Sequence, residues 1–173
     1  LDSISLLATI FAVHRNFNKA KELLIKAISI EPNNVSLNHN LGTAYKELGD
    51  FDSAISSYLR AIDIIPGYAD AYNNLGLAFY AKGRFLDGIK SFKMSLQLKS
   101  NNPDYHSNLA HVLLLLGDYT NGLNHYEYRS KKSTSFSKPH ALPISSQWNG
   151  QQDNHNAEAK LLVISEQGLG DTL

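Results

Sequence analysis

Three asparagines, Asn40, Asn74 and Asn108, recur at one spacing, and each is followed by leucine and then a small residue. A primary amide offers two N–H donors and a carbonyl acceptor, so a row of amides can pair with peptide backbone whatever the side chains beside it. Such chemistry holds polypeptide and breaks no bond. Seven histidines raise the question of a metal, but no two stand at the His-x-x-x-His spacing that puts both rings on one helical face; His106 and His111 are five apart. No Ser-His-acid order or paired carboxylates stand out in the first three-quarters of the chain. The reading is therefore a chain with no enzymatic activity of its own, no metal and no cofactor.

Composition narrows the partner. Sixteen basic and sixteen acidic residues cancel, which leaves no field to gather nucleic acid or an anionic membrane. Arg129, Lys131 and Lys132 form a short basic run, read as favourable charge at a helix C-terminus rather than as a nucleic-acid contact. The longest apolar stretches, such as 112–116 and 161–164, fall far short of the roughly 20 residues that span a bilayer. Cysteine is absent, which excludes disulfides and thiolate sites and fits any redox compartment. The working expectation is a cytoplasmic protein. Asn34-Val35-Ser36 matches a glycosylation acceptor by chance. The chain opens at Leu1 rather than methionine and is read as a fragment.

The elements that position the asparagines follow from a period. Leu7, Leu41, Leu75 and Leu109 recur every 34 residues, with a small column (Ala8, Gly42, Gly76, Ala110) beside them and a bulky one (Phe11, Tyr45, Phe79, Leu113). Gly49, Gly83 and Gly117 come next, with Arg15 in the first copy, then Phe17, Phe51, Phe85 and Tyr119. The later columns are Ala20, Ala54, Gly88, Gly122, then Leu24, Tyr58, Phe92, Tyr126, then Ala27, Ala61, Ser95; Pro32 and Pro66 close two copies. Apolar positions three and four apart make each half-copy an amphipathic helix. Glycine ends one helix through the left-handed conformation, and proline cannot continue the other. The pattern predicts helices over 2–14, 18–31, 36–48, 52–65, 70–82, 86–99, 104–116 and 120–131.

These columns resemble the tetratricopeptide repeat, most specifically in the middle two copies. The resemblance implies an all-α, right-handed superhelix of four helical hairpins, 1–34, 35–68, 69–102 and 103–136. Small residues at Gly42, Ala54 and Gly76 would let helices approach so that neighbouring hairpins stack. In that family the first helix of each hairpin lines a concave groove, and the residue before Leu-Gly points into it. The groove would then hold Asn40, Asn74 and Asn108, with His39, Thr43, Lys46, Asp70, Asn73, Leu77, Tyr80, Asp104, Ser107 and His111 around them. The Asn-Leu-Gly pattern is similar to the arrays of O-linked N-acetylglucosamine transferases, where an asparagine ladder holds extended polypeptide. The resemblance implies a protein or peptide partner. A competing reading has the same amides solvated, or hydrogen-bonded between adjacent repeats. The mixed groove charge, with little cation beyond Lys46, disfavours a receptor for acidic chaperone tails.

After Lys132 the composition changes. Residues 137–159 read as a linker pinned by Trp148, Leu161–Ser165 as a buried strand, and Gly168 and Gly170 as a turn that could approach a phosphate. Gly117-Asp118-Tyr119, Tyr126-Glu127-Tyr128-Arg129, Trp148-Asn149-Gly150 and Leu161-Leu162-Val163 through Glu166 to Thr172 together resemble bacterial fusions of tetratricopeptide repeats to a glycosyltransferase-like domain. The resemblance implies that 160–173 opens a truncated α/β domain and that the array selects the acceptor of a glycosyltransferase. Cut from its sheet, the strand has open edges and is expected to pair with a second copy of the chain through residues 160–173 or to dock in a groove.

Overall fold

The computed structural model describes residues 2–128. The linker, Trp148, the 161–165 strand and the Gly168/Gly170 turn lie outside the described residues. Eight helices follow one another: α1 (Asp2–Val13), α2 (Phe17–Ile30), α3 (Val35–Glu47), α4 (Phe51–Ile64), α5 (Ala69–Ala81), α6 (Phe85–Leu98), α7 (Pro103–Leu115) and α8 (Tyr119–Tyr126). No strand occurs among the described residues. Each helix begins within a residue of its predicted start. Phe17, Phe51, Phe85 and Tyr119 are the first residues of α2, α4, α6 and α8.

One device makes every odd-to-even turn. Gly49, Gly83 and Gly117 take φ of 81°, 72° and 81°, and Arg15 takes φ of 58° in the same place. The next residue then donates its N–H back to the bulky column: Asn16 to Phe11, Asp50 to Tyr45, Arg84 to Phe79 and Asp118 to Leu113, at 2.8–3.0 Å. This left-handed cap satisfies carbonyls that the helix end leaves open. In three of the four turns that residue also caps the following helix, the Asn16, Asp50 and Asp118 side chains accepting from Lys19, Ser53 and Asn121 N–H. Arg84 provides no such cap to α6.

The helices pack as consecutive pairs, and each even helix also packs on the odd helix that follows it. In the second and third pairs the small column meets the later column of Tyr58 and Phe92 in the same pair. A Cβ built on Gly42 would lie 2.6 Å from the Tyr58 ring, and one on Gly76 2.6 Å from Phe92. The close approach expected between neighbouring pairs is thus spent inside each pair. Packing between pairs is carried by three separate apolar clusters, such as Tyr58, Ala61 and Ile62 of α4 against Ala71, Leu75 and Ala78 of α5.

α1 touches α3, α3 touches α5 and α5 touches α7, whereas no even helix reaches another among the described residues. The odd helices therefore lie on the shorter, inner side of a curved stack. α8 was expected to reach 131 but ends at Tyr126, with a 3₁₀ turn at 127–128. Its Thr120, Asn121, Gly122, Asn124 and His125 are weak helix formers.

Candidate functional site

The inner face is built by α3, α5 and α7, which carry all thirteen residues expected to line a groove. Asn40, Asn74 and Asn108 are half-buried on successive odd helices, Asn73 is buried, and Asp104 and His111 are exposed. The row is tied together along its length. Asn74 Nδ2 lies 2.8 Å from His39 Nε2, and Asn108 Nδ2 donates to Asn73 Oδ1 at 2.9 Å. Two of the three ladder amides thus bridge neighbouring odd helices, as the competing reading of the sequence required. Each bridge uses one N–H of the amide, so the other N–H and the carbonyl oxygen of Asn74 and Asn108 are left for a visitor.

A second strand of contacts runs beside the first. The Tyr105 hydroxyl donates to Asp70, and Lys99 Nζ donates to its other oxygen at 3.0 Å. The Tyr105 bond, then Lys99, hold the Asp70 carboxyl below the usual carboxylate range against the opposing effect of burial. Burial pushes the His39 imidazole down, opposed by Asn40 and the Asp70 charge, so this ring favours its neutral form. His39 also packs tilted against Tyr58 and Tyr68, at 5.7 and 5.1 Å between centroids. Lys46 pairs with Glu47 at 3.0 Å. Tyr80 lies against Phe85 and places its hydroxyl 3.0 Å from His111 Nε2. Thr43 Oγ1 donates to the His39 carbonyl at 3.2 Å and accepts from the Tyr58 hydroxyl at 3.3 Å. Leu77 packs on the apolar cluster below, and Ser107 is half-buried one position before Asn108.

The spacing of histidines did not disclose one cluster. His106 is buried, with Nε2 2.8 Å from the Ser100 carbonyl oxygen and Nδ1 2.7 Å from Nδ1 of His125; Tyr128 stacks on it at 3.5 Å. Since Nε2 must donate to the carbonyl, a neutral His106 accepts at Nδ1 from His125. Burial, then the facing His106 and Lys93, lower the His125 pKa. Among the described residues no group of three His, Asp or Glu could hold a metal ion, and no helix is long and apolar enough to cross a membrane.

Two family models match the chain: one described as TPR repeat over residues 42–83, and one described as Tetratricopeptide repeat over 23–56. This part of the chain therefore carries tetratricopeptide repeats. No curated protein matches the sequence. Among solved structures, a crystal structure of MamA superposes with a TM-score of 0.71 at 20% identity, over 75% of this chain and 76% of that one. MamA 41-end from Desulfovibrio magneticus RS-1 does so with a TM-score of 0.71 at 18% identity, over 77% of each chain. The first TPR of Spaghetti (RPAP3), bound to the HSP90 peptide SRMEEVD, gives 0.65 at 23% identity, over 66% of this chain and 91% of that one. At these identities the likeness establishes the fold.

Proposed function

We propose that the chain is a protein–protein interaction module, four tetratricopeptide hairpins wound as a right-handed superhelix whose inner face takes an extended polypeptide. The observation that carries this reading is the row of half-buried amides on successive odd helices, Asn40, Asn74 and Asn108. The spacing follows the backbone of a visiting strand rather than its side chains. A structural neighbour binds a peptide, which supports the same use of the fold. Each net hydrogen bond contributes about 0.5–1.5 kcal/mol, so three amides supply at most roughly a thousandfold in affinity. Binding by this chain is weak and gains from longer arrays.

The test is a triple substitution, Asn40→Ala, Asn74→Ala and Asn108→Ala, measured against peptides selected on the wild-type chain from a random display library. Loss of binding with the helical circular dichroism signal retained is the expected result. The variant also loses the bridges to His39 and Asn73, so a urea melt must show it folded at the assay temperature. Unchanged affinity in the folded variant refutes the reading. A second reading, the acceptor-recognition arm of a glycosyltransferase, rests on sequence resemblance alone. A long α/β continuation beyond Leu173 in the coding sequence would favour it, and an early stop would remove it.

A further inference from the structure

A cavity of about 300 Å³ opens between α1, α2 and α3, with Thr9, Ala12, Phe17, Leu24, Asn40 and Thr43 among its walls. Its origin is visible in the repeat register. Ala12 stands where the third pair has Tyr80, Phe17 where it has Phe85, and Thr43 where the fourth has His111. In the third pair the Tyr80 ring packs on Phe85 at 5.6 Å, lies edge-on to His111 and bonds it through its hydroxyl. At the first junction the phenylalanine is kept and the hydrogen-bonding wall is kept, but a methyl group replaces the phenol between them. The cavity is the space of that missing ring.

Its polar lining is likewise incomplete. Asn74 and Asn108 each reach across to the preceding odd helix, at His39 and Asn73. The residue that register offers to Asn40 is Ser5, but the Asn40 amide meets its own helix neighbour His39 instead of bridging to α1. Thr43 Oγ1 already donates once and accepts once, which leaves it one further acceptor position. A mostly apolar pocket with a few converging polar groups is the usual form of a binding site.

We infer that this pocket is an anchor for one aromatic side chain, phenylalanine or tyrosine, of the polypeptide on the inner face. The inference rests on the proposed peptide-binding function, and it adds a sequence preference to a row of amides that has none. The ring would lie tilted on Phe17 as Tyr80 lies on Phe85, with the adjoining backbone within reach of Asn40. Burying an aromatic side chain raises affinity by about ten- to a hundredfold over alanine at the same place.

Two probes test the site separately from the groove. N-acetyl-tyrosinamide, titrated into the full chain, should shift amide resonances of 8–17 and 40–47 and leave those of α5 to α8 unmoved, with N-acetyl-alaninamide as control. The Ala12→Tyr variant fills the space with the residue that register supplies elsewhere, and the shifts should vanish; Ala12→Met fills it without a ring and should also abolish them. A selected peptide should lose about ten- to a hundredfold in affinity when its aromatic residue becomes alanine, and no more than that in Ala12→Tyr. Shifts that are absent, or that survive in both filled variants, overturn the inference, as does a peptide indifferent to loss of its ring. Tyrosinamide binding without any peptide binding would sink the groove reading and leave the pocket standing.

Discussion

Replacing Gly76 with alanine sets two effects against each other. In a helix interior alanine is favoured over glycine by about 1 kcal/mol. Here the added Cβ would lie 2.6, 2.7 and 2.9 Å from three atoms of the Phe92 ring. Carbon atoms rest about 3.5–4.0 Å apart, so the ring or the helix must move by roughly 1 Å. Phe92 is fully buried among Ala69, Leu96, Tyr105 and Leu109 and has nowhere to go. Overpacking of this kind costs about 1–3 kcal/mol. The clash therefore outweighs propensity, and Gly76→Ala should destabilise the chain by up to about 2 kcal/mol in urea melts followed by circular dichroism. The first pair shows the remedy: Ala8 stands opposite Leu24 where Gly76 stands opposite Phe92. Phe92→Leu should accordingly cost less in the Gly76→Ala background than in the wild type. A Gly76→Ala protein as stable as the wild type, or more so, would refute the packing argument.

Two further outcomes follow from the backbone and the imidazoles. Arg15 holds φ of 58° without being glycine, so Arg15→Gly should raise stability by about 1 kcal/mol in the same melts. The turn hydrogen bond from the Asn16 N–H to the Phe11 carbonyl should be unaffected. His39 and His125 both have pKa values lowered by burial, so protonation favours the unfolded chain. Their contribution is fully present above the unfolded pKa of about 6.5 and is lost as pH falls below it. Stability should drop between pH 7 and 5, and His39→Gln should flatten that slope; a slope unchanged in the variant would exclude His39 as a source.

The period, the glycine turns and the helix order were legible because each is a local demand repeated in register. A left-handed cap favours glycine, and an amphipathic helix needs its apolar stripe. What the small column is for was less legible. Gly42 and Gly76 accommodate rings 16 residues further on in the same pair, not a neighbouring one, because a one-dimensional pattern gives size but not partner. The bridges along the inner face do leave a trace in the sequence: His39 with Asn74, Asp70 with Tyr105 and Asn73 with Asn108 all share one sequence offset, 35. That offset is one residue beyond the period, as a bond leaning from one odd helix to the next requires. His106 and His125 have no counterparts in other copies, so no recurrence could disclose their meeting.

Each of the three apolar clusters straddles one boundary between pairs, and Tyr45 packs against two of them. Such a molecule is a chain of clasps rather than a vault: strain applied at either extremity is met by the nearest clasp alone. Of the helices from α2 onward, α8 has the fewest buried side chains, with Gly122 alone. Among the described residues α8 contributes to none of the three clusters, so opening it leaves the grip of α3, α5 and α7 intact.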